Sequence, residues 1–328
     1  MPAYRKILIA LKDLDAKSMP ALNKAAQIAK AHGATLEIFH ALAQTVLVDA
    51  LDAKKVSLKD FENQQLHDAV TRLQSIAKRL RKHDIRVTCA AEWDYPPAEA
   101  IIRRALKTKT ELIVAERHAT KHVAGWMLSY TDWELLRQAP CPVLLVKKTK
   151  PYHRPRVLTA IDPFHQHEKP VRLDAALLNA SASLATALKG TLQIIHCVPP
   201  PTVLTAGWVA GPVVVDNIKT DEMLKNARKA LAAEVARHDL PSHKLAIVQG
   251  AAREAIPQTA KSGKADIVVM GALSRSGLKR VLIGNTAEAV LDALECDVLI
   301  VKPGKFQTKV ARRSRGAQLM ALPNAITG

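Results

Sequence analysis

The chain contains the same sequence pattern twice. Residues 111–146, ELIVAERHATKHVAGWMLSYTDWELLRQAPCPVLLV, align without a gap with residues 266–301, DIVVMGALSRSGLKRVLIGNTAEAVLDALECDVLIV. The repeat reaches back to earlier segments, because KILIALK (6–12) corresponds to RVLTAID (156–162). A repeat of about 150 residues predicts two domains of the same fold, each long enough to bury its own core.

Short apolar runs alternate with longer amphipathic stretches within each repeat. The runs of the first repeat are rich in Val, Ile and Leu and show little polar alternation: ILIAL, LEIF, RVTCA, LIVA and VLLV. Such runs are typical of strands that are buried on both faces. The stretch 20–33 has Leu and Ala at helical spacing and ends at Gly33, where a helix stop is expected. The alternation predicts an α/β fold with a parallel sheet covered by helices on both faces.

The domain boundaries follow from changes in composition. The segment KKTKPYHRPR (147–156) is polar and is interrupted by two prolines, as expected of a linker. We therefore place the first domain at 1–149 and the second at 150–304. The remaining residues, 305–328, are basic and show neither a helical nor a strand period, so we expect a disordered tail.

The two repeats differ in their glycines. The second repeat has Gly271, Gly277 and Gly284, where the first has Glu116, His122 and Ser129. In the second repeat a strand ends at Met270–Gly271, a loop follows, and Gly284-Asn285-Thr286 opens a helix. A helix start offers free N–H groups and partial positive charge, and glycines let the backbone approach an anion. This arrangement indicates a phosphate-binding loop in the second domain.

The stretch GALSRSGLKRVLIGNTAEAVLDALECDVLIVKP resembles the signature of the universal stress protein family, which is G-x-x-G, nine residues, then G-[ST] and a helix. Together with the repeat it resembles the tandem branch of that family, over roughly residues 1–304. The resemblance implies two Rossmann-like, five-stranded parallel domains (adenine nucleotide alpha hydrolase-like) that pair within the chain as an internal pseudo-dimer. It is also compatible with a homo-oligomer. The implied function is a stress-response binding module.

The resemblance also implies a ligand site. Some family members bind ATP or AMP through the acid that ends strand one, the backbone after strand two and the glycine signature. Carried over to this sequence, those positions are Asp162, Cys197, Met270, Gly271, Ser274, Gly284, Asn285 and Thr286. The sequence departs from the signature at Ser274, which replaces a glycine, and at Asn285, which replaces a small hydroxyl residue.

The first domain departs further from the signature. Glu116, Ala119, Ser129 and Tyr130 replace the signature residues, and Lys12 stands where the second domain has its acid. A carboxylate at position 116 would repel a phosphate group. We therefore expect ATP or AMP to bind in the second domain only.

Charge suggests a different partner. The formal net charge is +18, and basic residues concentrate in 72–86 and in the tail. Such segments favour non-specific binding to RNA or another polyanion. Aromatic residues make up only 4% of the chain and no nucleic-acid motif is present, so a solvated basic surface is the simpler interpretation.

Catalysis and metal binding have little support in the sequence. No Ser-His-Asp order, GxSxG or HExxH motif occurs, so we expect no enzyme. A weak nucleotide hydrolase that uses the second-domain site remains the alternative. The pairs His118/His122 and His165/His167 have metal-like spacing but no Cys nearby, and we expect surface histidines and no metal.

Three further features complete the predictions. No apolar run is long enough to span a bilayer and the four cysteines form no CxxC pair, which favours a cytoplasmic protein with reduced thiols. His40 and His196 occupy equivalent strand ends, which indicates a shared structural role. The apolar segment 199–217 follows strand two of the second domain and is either a pocket-lining lid or a packing loop.

Overall fold

The computed structural model describes residues 4–53, 55–116, 130–164, 173–199, 217–271, 285–304 and 306–320. The chain divides into two compact units. One unit spans Tyr152–Lys305, and the other combines Ala3–Pro151 with the C-terminal segment that begins at Phe306. We call the unit that contains Ala3–Pro151 the first unit and the unit that contains Tyr152–Lys305 the second unit.

The first unit is built on a parallel sheet. Its elements are β1(Lys6–Ala10), α1(Pro20–His32), β2(Thr35–Leu42), β3(Thr45–Leu47), α2(Val48–Ala53), α3(Leu58–Arg81), β4(Arg86–Trp93), α4(Pro97–Thr108), β5(Leu112–Glu116), α5(Tyr130–Gln138) and β6(Val143–Val146). The strand order is β4-β2-β1-β5-β6, and every neighbouring pair is parallel. The predicted parallel five-stranded sheet is therefore confirmed for this unit.

Local signals explain where the helices of the first unit begin and end. Helix α1 has Pro20 in its first turn, where a missing N–H is harmless, and ends at Gly33 in the left-handed conformation (φ 63°). Helix α3 begins after Ser57, whose side chain accepts a hydrogen bond from the Asp60 N–H. Side chains that are fully buried, such as Leu73 on α3 and Ile102 on α4, face the sheet.

The second unit repeats this architecture. Its elements are β7(Arg156–Ala160), α6(Leu173–Ala187), β8(Thr191–Val198), α7(Asn217–Val235), β9(His243–Gln249), α8(Ala252–Ser262), β10(Ile267–Gly271), α9(Asn285–Ala293) and β11(Asp297–Val301). Its strand order is β11-β10-β7-β8-β9, again parallel throughout. Strands β10 and β11 are apolar and buried, as the unbroken Val and Ile runs predict. Among the described helices of either unit, none has the length and apolarity needed to cross a bilayer.

The C-terminal segment corrects one sequence-based expectation. A disordered tail is predicted from residue 305 onward, but residues 306–320 follow a defined course along the first unit. Strand β12(Gln318–Met320) pairs in parallel with β3, and the Arg315 N–H donates to the carboxylate of Asp94 at 2.9 Å. The segment has no apolar period because polar backbone contacts, rather than a buried face, hold it in place.

Gly190 provides a test of packing in the second unit. A Cβ atom at this position would lie 2.1 Å from the Pro155 carbonyl oxygen, which itself accepts a hydrogen bond from the Thr191 N–H. Gly190→Ala must therefore displace backbone and is expected to lower the free energy of unfolding by about 1–3 kcal/mol, measured by urea denaturation. Gly304→Ala is the matched control, because nothing lies within 4 Å of a Cβ there. Equal stability of the two variants would contradict the close approach.

Candidate functional site

The carboxyl edge of the second-unit sheet collects four of the eight predicted site residues. Asp162 follows β7, Cys197 lies near the end of β8, and Met270 and Gly271 end β10. Strand β7 pairs with β10 on one side and with β8 on the other, so these residues share one edge. The strand order reverses at β7, and such a switch point opens the crevice in which parallel sheets bind ligands.

The remaining four predicted site residues belong to the connection that follows β10. Asn285 and Thr286 are the first two residues of α9, and Thr286 is exposed. Ser274 and Gly284 lie outside the described residues, as do 200–216 of the apolar segment and the histidine pairs His118/His122 and His165/His167.

Asp162 is held by its neighbours at this edge. Its Oδ1 accepts a hydrogen bond from the Phe164 N–H at 3.3 Å, and its own N–H donates to Asp174 Oδ1 at 3.5 Å. His196 Nδ1 lies 4.0 Å from Asp162 Oδ1. The Asp162 side chain keeps about a quarter of its surface exposed (23%), so the carboxylate can still meet a ligand.

His196 and His40 perform the same structural task in the two units. His196 Nδ1 lies 3.1 Å from the Ile161 carbonyl oxygen, and His40 Nδ1 lies 2.8 Å from the Leu11 carbonyl oxygen. In both units the imidazole thereby ties the end of the second strand to the residue after the first. The predicted shared structural role of these histidines is confirmed.

Gly271 has a packing role in addition to any role in binding. A Cβ atom at Gly271 would lie 2.7 Å from Leu173 Cδ2 on α6. The absence of a side chain therefore lets α6 approach the end of β10. The sequence pattern alone assigns this glycine to anion approach, whereas in the structure its open side faces a leucine.

A cavity of about 400 Å³ lies beside Asp162. Its lining residues come from the loop after β7, the end of β8 and helix α7: Phe164, His196, Val198, Pro199, Glu222, Met223, Asn226 and Ala227. The walls are mostly apolar, and His196, Glu222 and Asn226 supply polar groups. The Phe164 and His196 rings are 5.6 Å apart between centroids. Sequence reasoning missed the α7 residues, because they show only the amphipathic period of a surface helix.

Cys197, at this edge, is not a reactive nucleophile. Burial raises the pKa of Cys197 to about 11, so the group is a neutral thiol at physiological pH. All four cysteines are free, with Cys141 and Cys296 buried, in agreement with the prediction of reduced thiols.

The first unit has a larger cavity at its own switch point. This cavity of about 820 Å³ lies at the carboxyl ends of β1, β2 and β5. Its ionisable lining residues include four carboxylates and two permanent cations: Asp13, Asp15, Asp68, Glu116, Lys12 and Arg72. Arg72 Nη1 bonds Asp15 Oδ2 at 2.6 Å, which leaves the cavity with an excess of negative charge.

The two basic segments lie at opposite ends of β4. Residues 78–82 end helix α3 just before Arg86 begins the strand, whereas the C-terminal segment contacts Trp93 and Asp94 at its other end. An eight-residue strand spans about 25 Å, so the segments form two separate patches. Part of their charge is engaged, because Arg81 donates to the Val87 carbonyl oxygen and Arg315 to Glu99.

The fold defines a two-domain α/β protein with a crevice at the switch point of each unit's parallel strands. The family model described as "Universal stress protein family" matches residues 3–147 and 154–302. The chain therefore belongs to the universal stress protein family, as a tandem member, and this membership supports a role in the stress response.

Relatives match across most of the chain. Universal stress protein E of Escherichia coli K12 is 25% identical over 321 residues, which cover 94% of this chain and 98% of that protein. The universal stress protein E homolog of Haemophilus influenzae is 26% identical over 263 residues, which cover 76% of this chain and 82% of that protein.

Solved structures agree on the fold. A universal stress protein structure from Pseudomonas aeruginosa superposes with a TM-score of 0.71 at 27% identity, covering 92% of this chain and 94% of that one. A universal stress protein from Archaeoglobus fulgidus superposes with a TM-score of 0.61 at 17% identity, covering 90% and 98%, which shows likeness of fold alone.

The environment of His40 predicts a pH dependence of stability. Burial lowers the pKa of His40 below its usual 6.5, and Arg72 adds to this effect, although the Leu11 carbonyl and Asp13 oppose it. The unfolded chain therefore binds a proton more readily, so stability is complete above pH 6.5 and is lost as pH falls towards the folded-state pKa. We expect the free energy of unfolding to drop between pH 7.5 and 5.5, and His40→Gln to reduce this drop.

Nuclear magnetic resonance titration of the His40 ring checks the cause directly. Arg72→Gln should raise the pKa of His40 towards the ordinary value, because it removes a nearby positive charge. A His40 pKa at or above 6.5 in the unmodified protein would contradict the prediction.

Proposed function

We propose that this protein binds one adenine nucleotide, ATP or AMP, per chain and that the site lies in the second unit. The observation that carries the proposal is the contrast between the two switch points. In the second unit Asp162 and Gly271 lie at the crevice, whereas the equivalent edge of the first unit carries Glu116 among an excess of carboxylates. The excess of carboxylates around the first-unit cavity would repel nucleotide phosphates, which leaves the second-unit crevice as the site that we propose.

The cavity beside Asp162 suits the base and ribose. Its volume of about 400 Å³ falls within the usual range for small-molecule sites, and such sites combine apolar walls with a few polar groups. Phe164, Val198 and Met223 offer apolar contact, while Asn226 offers both a donor and an acceptor. We place the Asp162 carboxylate at the ribose hydroxyls or the base edge, in line with the role that the resemblance implies for the acid after strand one.

The phosphates would then reach towards the start of α9. This helix begins at Asn285, and its first N–H groups have no partner within the helix. The sequence adds Gly284 before the helix and Ser274 earlier in the connection, whose hydroxyl can donate to a phosphate oxygen. For Gly271 to contact the ligand, the Leu173 side chain must rotate away, which a flexible leucine can do.

Titration calorimetry with ATP and with AMP tests the proposal. We expect one site per chain, and we expect Gly284→Val to lower the affinity at least tenfold, because a branched side chain would stand where the backbone approaches the phosphate. Ser129→Val is the matched control, since Ser129 is the aligned residue of the first repeat, and its affinity should not change. Two sites per chain, or unchanged affinity in Gly284→Val, would contradict the proposal.

The same samples distinguish a binding module from a weak hydrolase. A weak hydrolase would release inorganic phosphate from bound ATP, and a phosphate assay on the titrated samples measures that release. Release faster than from ATP alone would favour the hydrolase. Tight binding without release would favour the binding module that we propose.

Non-specific polyanion binding is the second candidate function. One observation favours it: among the described residues, no ion pair with a carboxylate involves Lys78 and Arg79 on α3, Lys82 just after it, or Arg312 and Arg313. Patches of this kind attract phosphate backbones without reading their sequence.

Filter binding of two unrelated RNAs across a salt series measures this activity. The logarithm of the affinity should fall with the logarithm of salt concentration by about 0.7–0.9 for each phosphate contacted, with equal affinity for both RNAs. Lys78→Gln/Arg79→Gln should weaken binding, whereas Lys107→Gln should not, because Lys107 is paired with Glu92. No binding at low salt would reject this function, and a sequence preference that survives high salt would show a specific site instead.

A further inference from the structure

The C-terminal segment, defined as residues 306–320, contacts the first unit almost entirely through polar groups. Its backbone and side chains form hydrogen bonds with the end of α5 and with the residues at the end of β4. The Lys309 N–H donates to Gln138 Oε1 at 3.4 Å, Ser314 Oγ to the Trp93 carbonyl oxygen at 3.3 Å, and the Arg315 N–H to Asp94 Oδ1 at 2.9 Å. Ala317 adds an apolar contact by packing against a small core cluster.

A buried ion pair lies at the centre of these contacts. Arg103 donates to Asp94 through Nε at 2.6 Å and through Nη2 at 2.8 Å, and both side chains are almost fully buried. The C-terminal segment completes this pair, because Asp94 also accepts the Arg315 N–H and Arg103 Nη1 also contacts the Ala311 carbonyl oxygen at 3.4 Å. A buried charge needs such additional hydrogen bonds to offset its desolvation. The docking surface is therefore shaped for an extended backbone.

The segment also holds the strand that borders the first-unit cavity. Gln318, Leu319 and Met320 pair in register with Thr45, Val46 and Leu47 of β3. Strand β3 directly follows Gln44, which lines the cavity. The core cluster against which Ala317 packs contains Leu42 and Ala69, and both of these residues line the same cavity. The ladder and the cluster thus link the C-terminal segment to one wall of the cavity.

The segment is only partly covered by the first unit. Every described residue from 306 to 320 is exposed or only half-buried, and Leu319 and Met320 keep about half of their surface exposed (50% and 49%). The ion pair between Arg315 and Glu99 is itself partly exposed, so it contributes little. A segment with partly exposed hydrogen bonds and no buried apolar anchor belongs to the less stable part of a fold.

We propose that residues 306–320 form a reversible clasp that holds β3, α2 and the adjoining wall of the first-unit cavity in place. When the clasp is docked, β3 has a partner strand and the Arg103–Asp94 pair has its full set of hydrogen bonds. When it detaches, β3 loses its ladder, and the segment 45–57 becomes free to move away from the cavity. This proposal is independent of nucleotide binding in the second unit.

Hydrogen exchange on the full chain and on a chain lacking 306–328 tests the clasp. We expect the amides of 45–57 to exchange at least tenfold faster in the truncated chain, while β1 and β7 exchange at unchanged rates. Unchanged exchange at 45–57 would overturn the proposal. An equal increase in β1 and β7 would also overturn it, because the segment would then stabilise the whole fold rather than one wall.

Two substitutions at one position test the backbone contact with Asp94. Arg315→Pro removes the N–H that Asp94 accepts, whereas Arg315→Ala keeps it and removes only the exposed ion pair. We expect exchange at 45–57 to approach the rate of the truncated chain in Arg315→Pro and to stay within about threefold of the unmodified protein in Arg315→Ala, as befits a surface ion pair. The reverse order of the two variants would contradict the proposed role of the backbone.

A disulfide tests reversibility. Thr45 and Gln318 are register partners on neighbouring strands, and the spacing of paired strands suits a disulfide. Thr45→Cys/Gln318→Cys should form a disulfide that peptide mapping detects, and exchange at 45–57 should fall below that of the unmodified protein until reductant is added. Thr45→Cys/Gln307→Cys is the control and should form none, because Gln307 has no partner in β3. Exchange that the disulfide does not slow would show that the docked state does not open.

Discussion

The position of the first strand in each sheet determines where this protein can act. Strands β1 and β7 each have a parallel neighbour on both sides. From each of them the chain therefore adds strands first on one side and later on the other. Right-handed crossovers then place helices on both faces. The loops after the two flanking strands diverge, and a crevice opens at the carboxyl edge. In each unit the cavity and the histidine contact lie at this carboxyl edge, as does Asp162 in the second unit.

The same backbone frame carries different side chains at the edge in the two units. His40 and His196 keep their contacts with the preceding strand, so the frame does not depend on what the edge binds. The residues at the edge change instead, because Lys12 and Glu116 of the first unit stand where the second unit has Asp162 and Gly271. Burial and neighbouring charge set the free energy of a bound anion, so a few substitutions at this edge alter which ligands it tolerates without disturbing the sheet.

The sheet could be predicted from the sequence because most strands are continuous apolar runs. The repeat also shows the same order of runs twice. The positions of Asp162 and Cys197 at the edge could also be predicted, because the resemblance points to the ends of those runs. Gly271 shows the limit of this reasoning. Its missing side chain makes room for Leu173, a residue almost a hundred positions earlier in the chain, and no local pattern carries that information.

The C-terminal segment was mispredicted for a related physical reason. Its order comes from hydrogen bonds to Asp94 and Trp93, which lie 221 residues away in the sequence, and from one short ladder with β3. Composition measures whether a segment can bury apolar surface, and residues 306–320 bury almost none. A buried carboxylate that needs one more donor can nevertheless fix a polar backbone. The partly exposed hydrogen bonds that made this segment invisible to sequence analysis are also the reason that its attachment is reversible, because water can replace each of them when it detaches.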